Sequence, residues 1–423
     1  MTSTALASKT PHAIRLETSE SVCAGHPDKL CDRIADEILD ECLWEDPASR
    51  CAVEVMASNH LITVAGQITC NGRVRIRSIV RSTLARLGYQ PWKYLVSVNV
   101  TKQSSDIAGG VDTALETRDG GVEQAGAFSD LGAGDQGTVY GYATDATKDF
   151  LPASLVAAHE ICARLDQARE QGTIAGIGPD GKAQVTLTVD EDGTPITAPT
   201  VVVSIQHDAA KDLEELRREV ISKIVAPALE TIGIDTLKYT TVLVNPSGRF
   251  VKGGPSADTG LTGRKLMVDT YGGHAPHGGG AFSGKDATKV DRTGAYMARF
   301  LAKQVVAGHL AKRCTVSISY AIGKADPVAF DIDTHGTHIP EVSDDDIRLA
   351  LQDFYSLRPG AIIDRFHLRR HGFARYSAYG HFGGVNGAYP GWEAKYDRWR
   401  LKEDVINHAK ERHSETNPEE AGQ

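Results

Sequence analysis

The chain has no C-x-x-C pair, and its seven cysteines, Cys23, Cys31, Cys42, Cys51, Cys70, Cys162 and Cys314, are odd in number. Neither a disulfide framework nor a structural zinc suits that pattern, so a reducing cytoplasm is expected. A basic excess is missing too: the formal net charge is -9. Nucleic acid is therefore excluded as a main partner, and any phosphate must sit in a local basic pocket. No apolar run approaches the length that spans a bilayer, and Met1 to Ala13 contain no apolar core of the secretory kind. A soluble protein with a short N-terminal arm and no membrane partner is expected. What remains is ordinary globular material, 41% hydrophobic and 24% charged over 423 residues, long enough for two or three domains.

Periodicity organises it. Leu30, Ile34, Ile38 and Cys42 recur at four-residue spacing after Gly25, His26 and Pro27, which predicts a helix whose opposite face carries Asp28, Asp32, Asp36 and Asp40. Strands follow at Cys51 to Met56 and Leu61 to Thr69, then a helix at Val74 to Leu87 and a strand at Tyr94 to Val100. This α-β-β-α-β order returns through a helix at Leu155 to Leu165, strands at Val185 to Val189 and Val201 to Ile205, a helix at Leu213 to Ile224, and a strand at Thr241 to Val244. It begins a third time with a helix at Ala295 to Val306, strands at Thr315 to Tyr320 and Val328 to Ile332, and a helix at Asp345 to Phe354. The expected fold is α/β of the α+β type: an N-terminal unit at 15–110, a central unit at 131–250, a C-terminal unit at 252–392 and a polar tail at 393–423. Glycine-rich stretches at Ser104 to Gly137 and Asn245 to Gly284 separate the units, and loops of that length are functional or mobile.

Two motifs suggest nucleotides. Gly132-Ala-Gly134-Asp-Gln-Gly137 fits the dinucleotide fingerprint, but a β-type segment follows where a helix is required. Gly279-Gly-Ala-Phe-Ser-Gly284-Lys285 begins like a P-loop, but Asp286 stands where the magnesium-holding hydroxyl belongs, which weakens a P-loop phosphotransferase. A glycine-rich segment ending in lysine still suits phosphate, or a tight surface turn. Charges of both signs crowd around it: Arg249, Asp258, Arg264, Lys265, Asp269, Lys285, Asp286, Lys289, Asp291 and Arg292. Turn and packing residues flank them, favouring a polyanion site with metal-binding carboxylates over a solvated face. His26 reads as a capping residue or as part of an anion site at the helix start; Glu54, inside an apolar run, reads as an edge-strand residue or an ion ligand.

In order, Gly25-His-Pro-Asp-Lys29, Gly134-Asp-Gln-Gly137, Gly260-Leu-Thr-Gly-Arg-Lys265, Asp269-Thr-Tyr-Gly-Gly273, His277-Gly-Gly-Gly-Ala-Phe-Ser-Gly-Lys-Asp286 and Lys289-Val-Asp-Arg292 resemble the signatures of the S-adenosylmethionine synthetase family. The resemblance runs from Glu17 to about Gly383. It implies three α/β units about a pseudo-threefold axis, ATP and L-methionine as substrates, and a homodimer with shared active sites that pairs again as a homotetramer. It also implies two Mg2+ per site, on Asp28 and Asp291, and K+ on Glu54. His26, Lys182, Arg264 and Lys285 would be catalytic. Asp135, Asp180, Gly181, Arg249, Phe250, Asp258, Lys265 and Ala281 would complete the ATP site, and Gln67, Gln103, Asp258 and Lys289 would reach methionine. The loop from Ser104 to about Leu131 would be a mobile gate. Ala24 and Gln67 stand where the family normally has glutamate. They favour one alternative, a relative that binds ATP but not methionine, which the retained His26, Lys182, Lys285, Lys289 and Asp291 oppose.

Overall fold

The computed structural model describes residues 14–103, 113–118, 131–384, 389–394 and 398–416. Most of the expected gate, residues 104–112 and 119–130, lies outside them. The first unit runs β1 (Arg15–Val22), α1 (Pro27–Glu45), β2 (Arg50–Ser58), β3 (Leu61–Thr69), α2 (Ile76–Arg86) and β4 (Leu95–Thr101). The second repeats that order: β5 (Gly137–Thr144), α3 (Ala153–Gln171), β6 (Ile177–Val189), β7 (Pro195–His207), α4 (Leu213–Val220) and β8 (Thr241–Val244), with α4 prolonged by a π turn at Ile221–Val225. The third comprises β9 (Gly260–Leu261), α5 (Val290–Ala307), β10 (Arg313–Tyr320), β11 (Ala329–Asp333) and α6 (Asp344–Phe354), and ends in a helix, α7 (Pro359–Arg365), where the others end in a strand.

Every helix and strand expected from periodicity is present, but each unit also opens with a further strand, of which the sequence signalled only the β-type segment after Gly137. None of these strands stays at home. β1 pairs antiparallel with β6 of the second unit, β5 with β10 of the third, and the two-residue β9 with β2 of the first. The sheets are ordered β1-β6-β7-β8, β11-β10-β5 and β4-β3-β2-β9. The exchange is cyclic, so each unit completes its neighbour and covers a strand edge that would otherwise stand open. At the centre α5 is buried at every position but Asp291, as a helix surrounded by protein must be.

Two glycines of the apparent dinucleotide fingerprint serve close packing. A Cβ on Gly132 would fall 2.6 Å from the Gly323 backbone, and one on Gly134 would fall 2.5 Å from the Thr288 carbonyl. Strand β5 follows them, so the dinucleotide reading is excluded. The stretch from 393 is also not simply a tail. Glu393 is buried between Arg299 and Lys303, and α8 (Arg398–Thr416) buries Leu401, Val405 and Ala409.

Candidate active site

Glycine lets three distant segments meet at the start of α1. A Cβ on Gly25 would lie 2.4 Å from the Pro179 carbonyl oxygen, and one on Gly260 would lie 2.1 Å from that of Pro27. Close backbone approach therefore brings Asp180, Gly181 and Lys182 of β6, and the turn after β9, against His26 and Asp28. His26 caps the helix, its Nδ1 accepting from the Asp28 amide at 3.2 Å. The Asp28 carboxylate accepts from the Leu261 amide (3.0 Å) and Lys265 Nζ (2.6 Å), and Arg264 Nε lies 3.4 Å away. Burial pushes the Asp28 carboxyl up, but the Lys265 and Leu261 hydrogen bonds outweigh it and hold the group below its usual range. Asp180 accepts from the Gly254 amide at 2.7 Å, and burial, reinforced by Asp258, pushes its carboxyl up to about 6. Gln206 connects this cluster to the next loop, accepting from Asp180 N (3.4 Å) and donating to Val251 O (3.2 Å). The preceding residues are held separately: the Phe250 amide donates to His207 Nε2 at 3.0 Å, the His207 amide donates to the Phe250 carbonyl at 2.9 Å, and Arg249 donates to Ala209 O at 2.7 Å.

A second cluster lines a cavity of about 480 Å³ that brings together Gln67, Gln103, Asp135, Lys285, Lys289 and Asp291. Gln67 is exposed on β3, opposite Ala52 on one side and Thr101 on the other. Lys285 forms an ion pair with Asp291 at 2.6 Å and bridges to Ala52 of β2. Lys289 pairs with Asp286, whose carboxylate also accepts from Cys51 N (2.7 Å), Thr288 N (2.9 Å) and Thr288 Oγ1 (2.7 Å). Asp286, the residue that spoils the P-loop pattern, thus anchors the loop to β2.

The clusters are neighbours. A Cβ on Gly263, whose φ is +74, would fall 2.5 Å from Ala281 Cβ, so the Arg264-Lys265 turn touches the loop that ends in Lys285. Both also flank one stretch of β2: Lys285 beside Ala52, and Leu261 paired with Met56, four residues or roughly 13 Å along the strand. Glu54 lies between them, exposed on the same face. It is not on an edge strand, because β9 covers β2. Burial raises its carboxyl pKa, and the Lys285 charge opposes that shift.

What the acidic face of α1 holds is what the sequence reading missed. Its carboxylates hold backbone amides of the C-terminal unit: Asp28 takes Leu261, Asp32 takes Gly263 (2.9 Å), Asp36 takes Gly284 (2.9 Å), and Asp40 takes Gly372, Phe373 and Ala374. Both cation-bearing loops hang from this ladder. The i, i+4 spacing of the aspartates was visible, but their partners lie more than 200 residues away.

Among the described residues no group of three or more His, Cys, Asp and Glu side chains could hold a metal by itself. Magnesium does not need one, since it binds through one or two carboxylates, water and substrate phosphates. Asp28 and Asp291 each offer one carboxylate, the donor such an ion takes, and would exchange part of their pairing with Lys265 and Lys285 for it. Glu54 offers a single exposed carboxylate to potassium and would need oxygens from other groups.

Family models of the S-adenosylmethionine synthetase N-terminal, central and C-terminal domains match residues 15–109, 130–250 and 252–394. The chain belongs to the S-adenosylmethionine synthetase family. S-adenosylmethionine synthase of Desulforudis audaxviator is 48% identical over 88% of this chain and 94% of its own length. The synthases of Corynebacterium kroppenstedtii and Corynebacterium efficiens are 45% and 46% identical, over 90% and 93% of this chain and 96% and 98% of theirs. Membership makes the chain a transferase of S-adenosylmethionine biosynthesis, with ATP and methionine as the substrates it implies. The alternative of a relative without methionine turnover is not favoured. Among the described residues no helix is long and apolar enough to cross a membrane.

Burial, and then the Lys265 charge, push His26 down to about 4. The imidazole is neutral at pH 7 and protonates only well below the ordinary histidine range. A turnover profile from pH 5.5 to 8 is therefore expected to show no inflection that His26→Asn removes; an inflection near pH 6.5 lost in that variant would contradict the assignment.

Proposed function

We propose that the methionine thioether attacks C5′ of ATP in line, that triphosphate leaves, and that it is hydrolysed to phosphate and pyrophosphate in the same site. The observation that carries this reading is the meeting of the two cationic loops at Gly263 and Ala281, beside neutral His26. A thioether is nucleophilic without deprotonation, so the protein has to align the reactants and stabilise the departing charge. Arg264, Lys265 and Lys285 receive the phosphates, with Lys182 reaching the same anion from β6. His26 donates to the leaving oxygen as a neutral imidazole. Asp135, Asp180, Gly181, Arg249, Phe250 and Ala281 bind the nucleotide, and Gln67, Gln103, Asp258 and Lys289 bind methionine. Magnesium on Asp28 and Asp291, and potassium on Glu54, would add positive charge to the triphosphate pocket.

The outward faces of the β4-β3-β2-β9 and β1-β6-β7-β8 sheets support a homodimer with shared sites, and a homotetramer built from it. Glu54 and Gln67 are exposed on one sheet and Lys182 on the other. Mass spectrometry after incubation with ATP, methionine, magnesium and potassium tests the reaction. S-adenosylmethionine, phosphate and pyrophosphate are expected, and ADP in their place would refute the reaction class.

Gln67 presents a neutral amide where a carboxylate would meet the methionine ammonium. A hydrogen bond to an ion exceeds a neutral one by about 1 kcal/mol, so Gln67→Glu is expected to tighten methionine binding roughly fivefold and leave ATP affinity unchanged. Calorimetric titration of both ligands checks this, and unaltered methionine binding in the folded variant would reject Gln67 as the ammonium partner.

A further inference from the structure

Behind the site, the two cationic loops are joined by a run of buried polar side chains that is bridged by main chain at one step, between Asp269 and His381. It starts at the Gly263 amide, which donates to Asp32 Oδ1 at 2.9 Å. Lys29 Nζ lies 3.1 Å from Asp32 Oδ2 and also binds Asp269, at the end of the segment that carries Arg264 and Lys265. The His381 amide donates to the Asp269 carbonyl at 3.0 Å, and His381 Nε2 lies 4.0 Å from the Asp269 carboxylate. His381 Nδ1 meets the Tyr296 hydroxyl at 2.8 Å, and Arg292 Nε donates to that hydroxyl at 3.2 Å. Arg292 then grips Asp36 with bonds of 2.9 and 2.7 Å and donates to the Lys285 carbonyl at 2.9 Å. Asp36 closes the run on the Gly284 amide.

Every side chain of this run is buried, and Lys29, Asp32, Asp36, Arg292, Tyr296 and His381 are at 0% exposure. Arg292 Nε donates to the Tyr296 oxygen, and His381 Nδ1 stands where it can accept that hydroxyl's hydrogen; in that arrangement the imidazole proton is on Nε2, which makes no hydrogen bond and lies 4.0 Å from Asp269. A buried charge that loses its partner is strongly penalised, so such a network admits few arrangements of the loops at its ends.

We propose that this run is a positioning relay that couples the Arg264-Lys265 turn to the Lys285 loop, with Tyr296 as its central positioning residue. The proposal rests on the reading of those three cations as the groups that receive the phosphates. Each loop keeps its own aspartate if the middle is cut, so ATP still binds while the alignment reached in the transition state is lost.

Tyr296→Phe cuts the relay without stranding a charge, because Arg292 keeps Asp36 and the ring keeps its stack on Trp392 at 3.9 Å. The variant is expected to unfold near the wild-type temperature, keep KM for ATP within about twofold, and lose about tenfold in kcat, since small misplacements cost catalysis more than binding. Asp32→Asn should act through the same run, so the double variant should fall no further than the weaker of the two single variants. Additive losses, or an unchanged kcat in folded Tyr296→Phe, would overturn the relay. Amide exchange supplies a readout without turnover. Tyr296→Phe should speed exchange at both Gly263 and Gly284, and unaltered exchange at either would overturn the proposal even if the enzyme makes S-adenosylmethionine. Conversely, a wild type that makes none while its variant shows faster exchange at both amides would refute the reaction and leave the relay standing.

Discussion

Lys285→Met is expected to lower turnover by roughly 10²- to 10³-fold, the usual cost of removing one group aimed at charge that develops in the transition state. Lys285 is a partly buried ammonium at the mouth of the cavity, paired with Asp291 at 2.6 Å. Its aliphatic stem is nearly matched by methionine, and the fold should survive, because Asp291 keeps 21% of its side-chain surface in water. Lys289 provides the control. Its partner Asp286 is buried and carries the loop anchor, so Lys289→Met should lower stability as well as activity. Steady-state kinetics beside chemical unfolding separates the two. A Lys285→Met enzyme with more than a third of wild-type turnover would remove this lysine from the mechanism.

Glu393→Ala is expected to cost about 3–5 kcal/mol of stability, the range for breaking a buried ion pair by removing one partner. Arg299, Lys303 and Glu393 have no exposed side-chain surface, and the carboxylate is the acid common to both cations. Burial pushes the Glu393 carboxyl up, but Arg299 and Lys303 overcome that and hold it below the ordinary range. The sign of the pH effect follows. The folded state favours the ionised form, so this stabilisation is present above the usual carboxylate pKa and is lost as pH falls through the lower folded value. Urea unfolding of both proteins at pH 7 checks the magnitude, and a loss under 1 kcal/mol would show that the cations have other adequate partners.

Glu393 also marks where sequence reading stopped short. It opens a stretch rich in charge, and nothing local distinguishes it from a solvated glutamate; its burial is created by Arg299 and Lys303 on a helix about 90 residues earlier. Leu401, Val405 and Ala409 did offer a signal, a four-residue stripe that predicts the buried face of α8. The apolar stripe of α1 and the hairpin of β2 and β3 were legible because their periodicity is local. Of the opening strands only β5 was legible, as the β-type segment after Gly137. β1 reads Arg-Leu-Glu-Thr-Ser-Glu-Ser-Val, polar enough to pass for a loop, and becomes a strand by pairing with residues at least 160 positions away. At the site, residue types and glycine spacing announced a polyanion pocket. Which acids face the site and which support it from behind was decided by tertiary structure: Asp28 and Asp291 pair with Lys265 and Lys285, while the buried Asp32, Asp36 and Asp286 each hold a backbone amide together with another cation, Lys29, Arg292 and Lys289.

The central claim is that the bond broken is C5′–O of ATP, with the whole triphosphate as leaving group. ATP carrying ¹⁸O in the C5′–O–Pα bridge, turned over with methionine, magnesium and potassium, tests it directly. All of the label should leave with the inorganic products and none should remain attached to an adenosine carbon. Label retained on an adenine nucleotide product such as ADP or AMP would place the cleavage at phosphorus and contradict the mechanism.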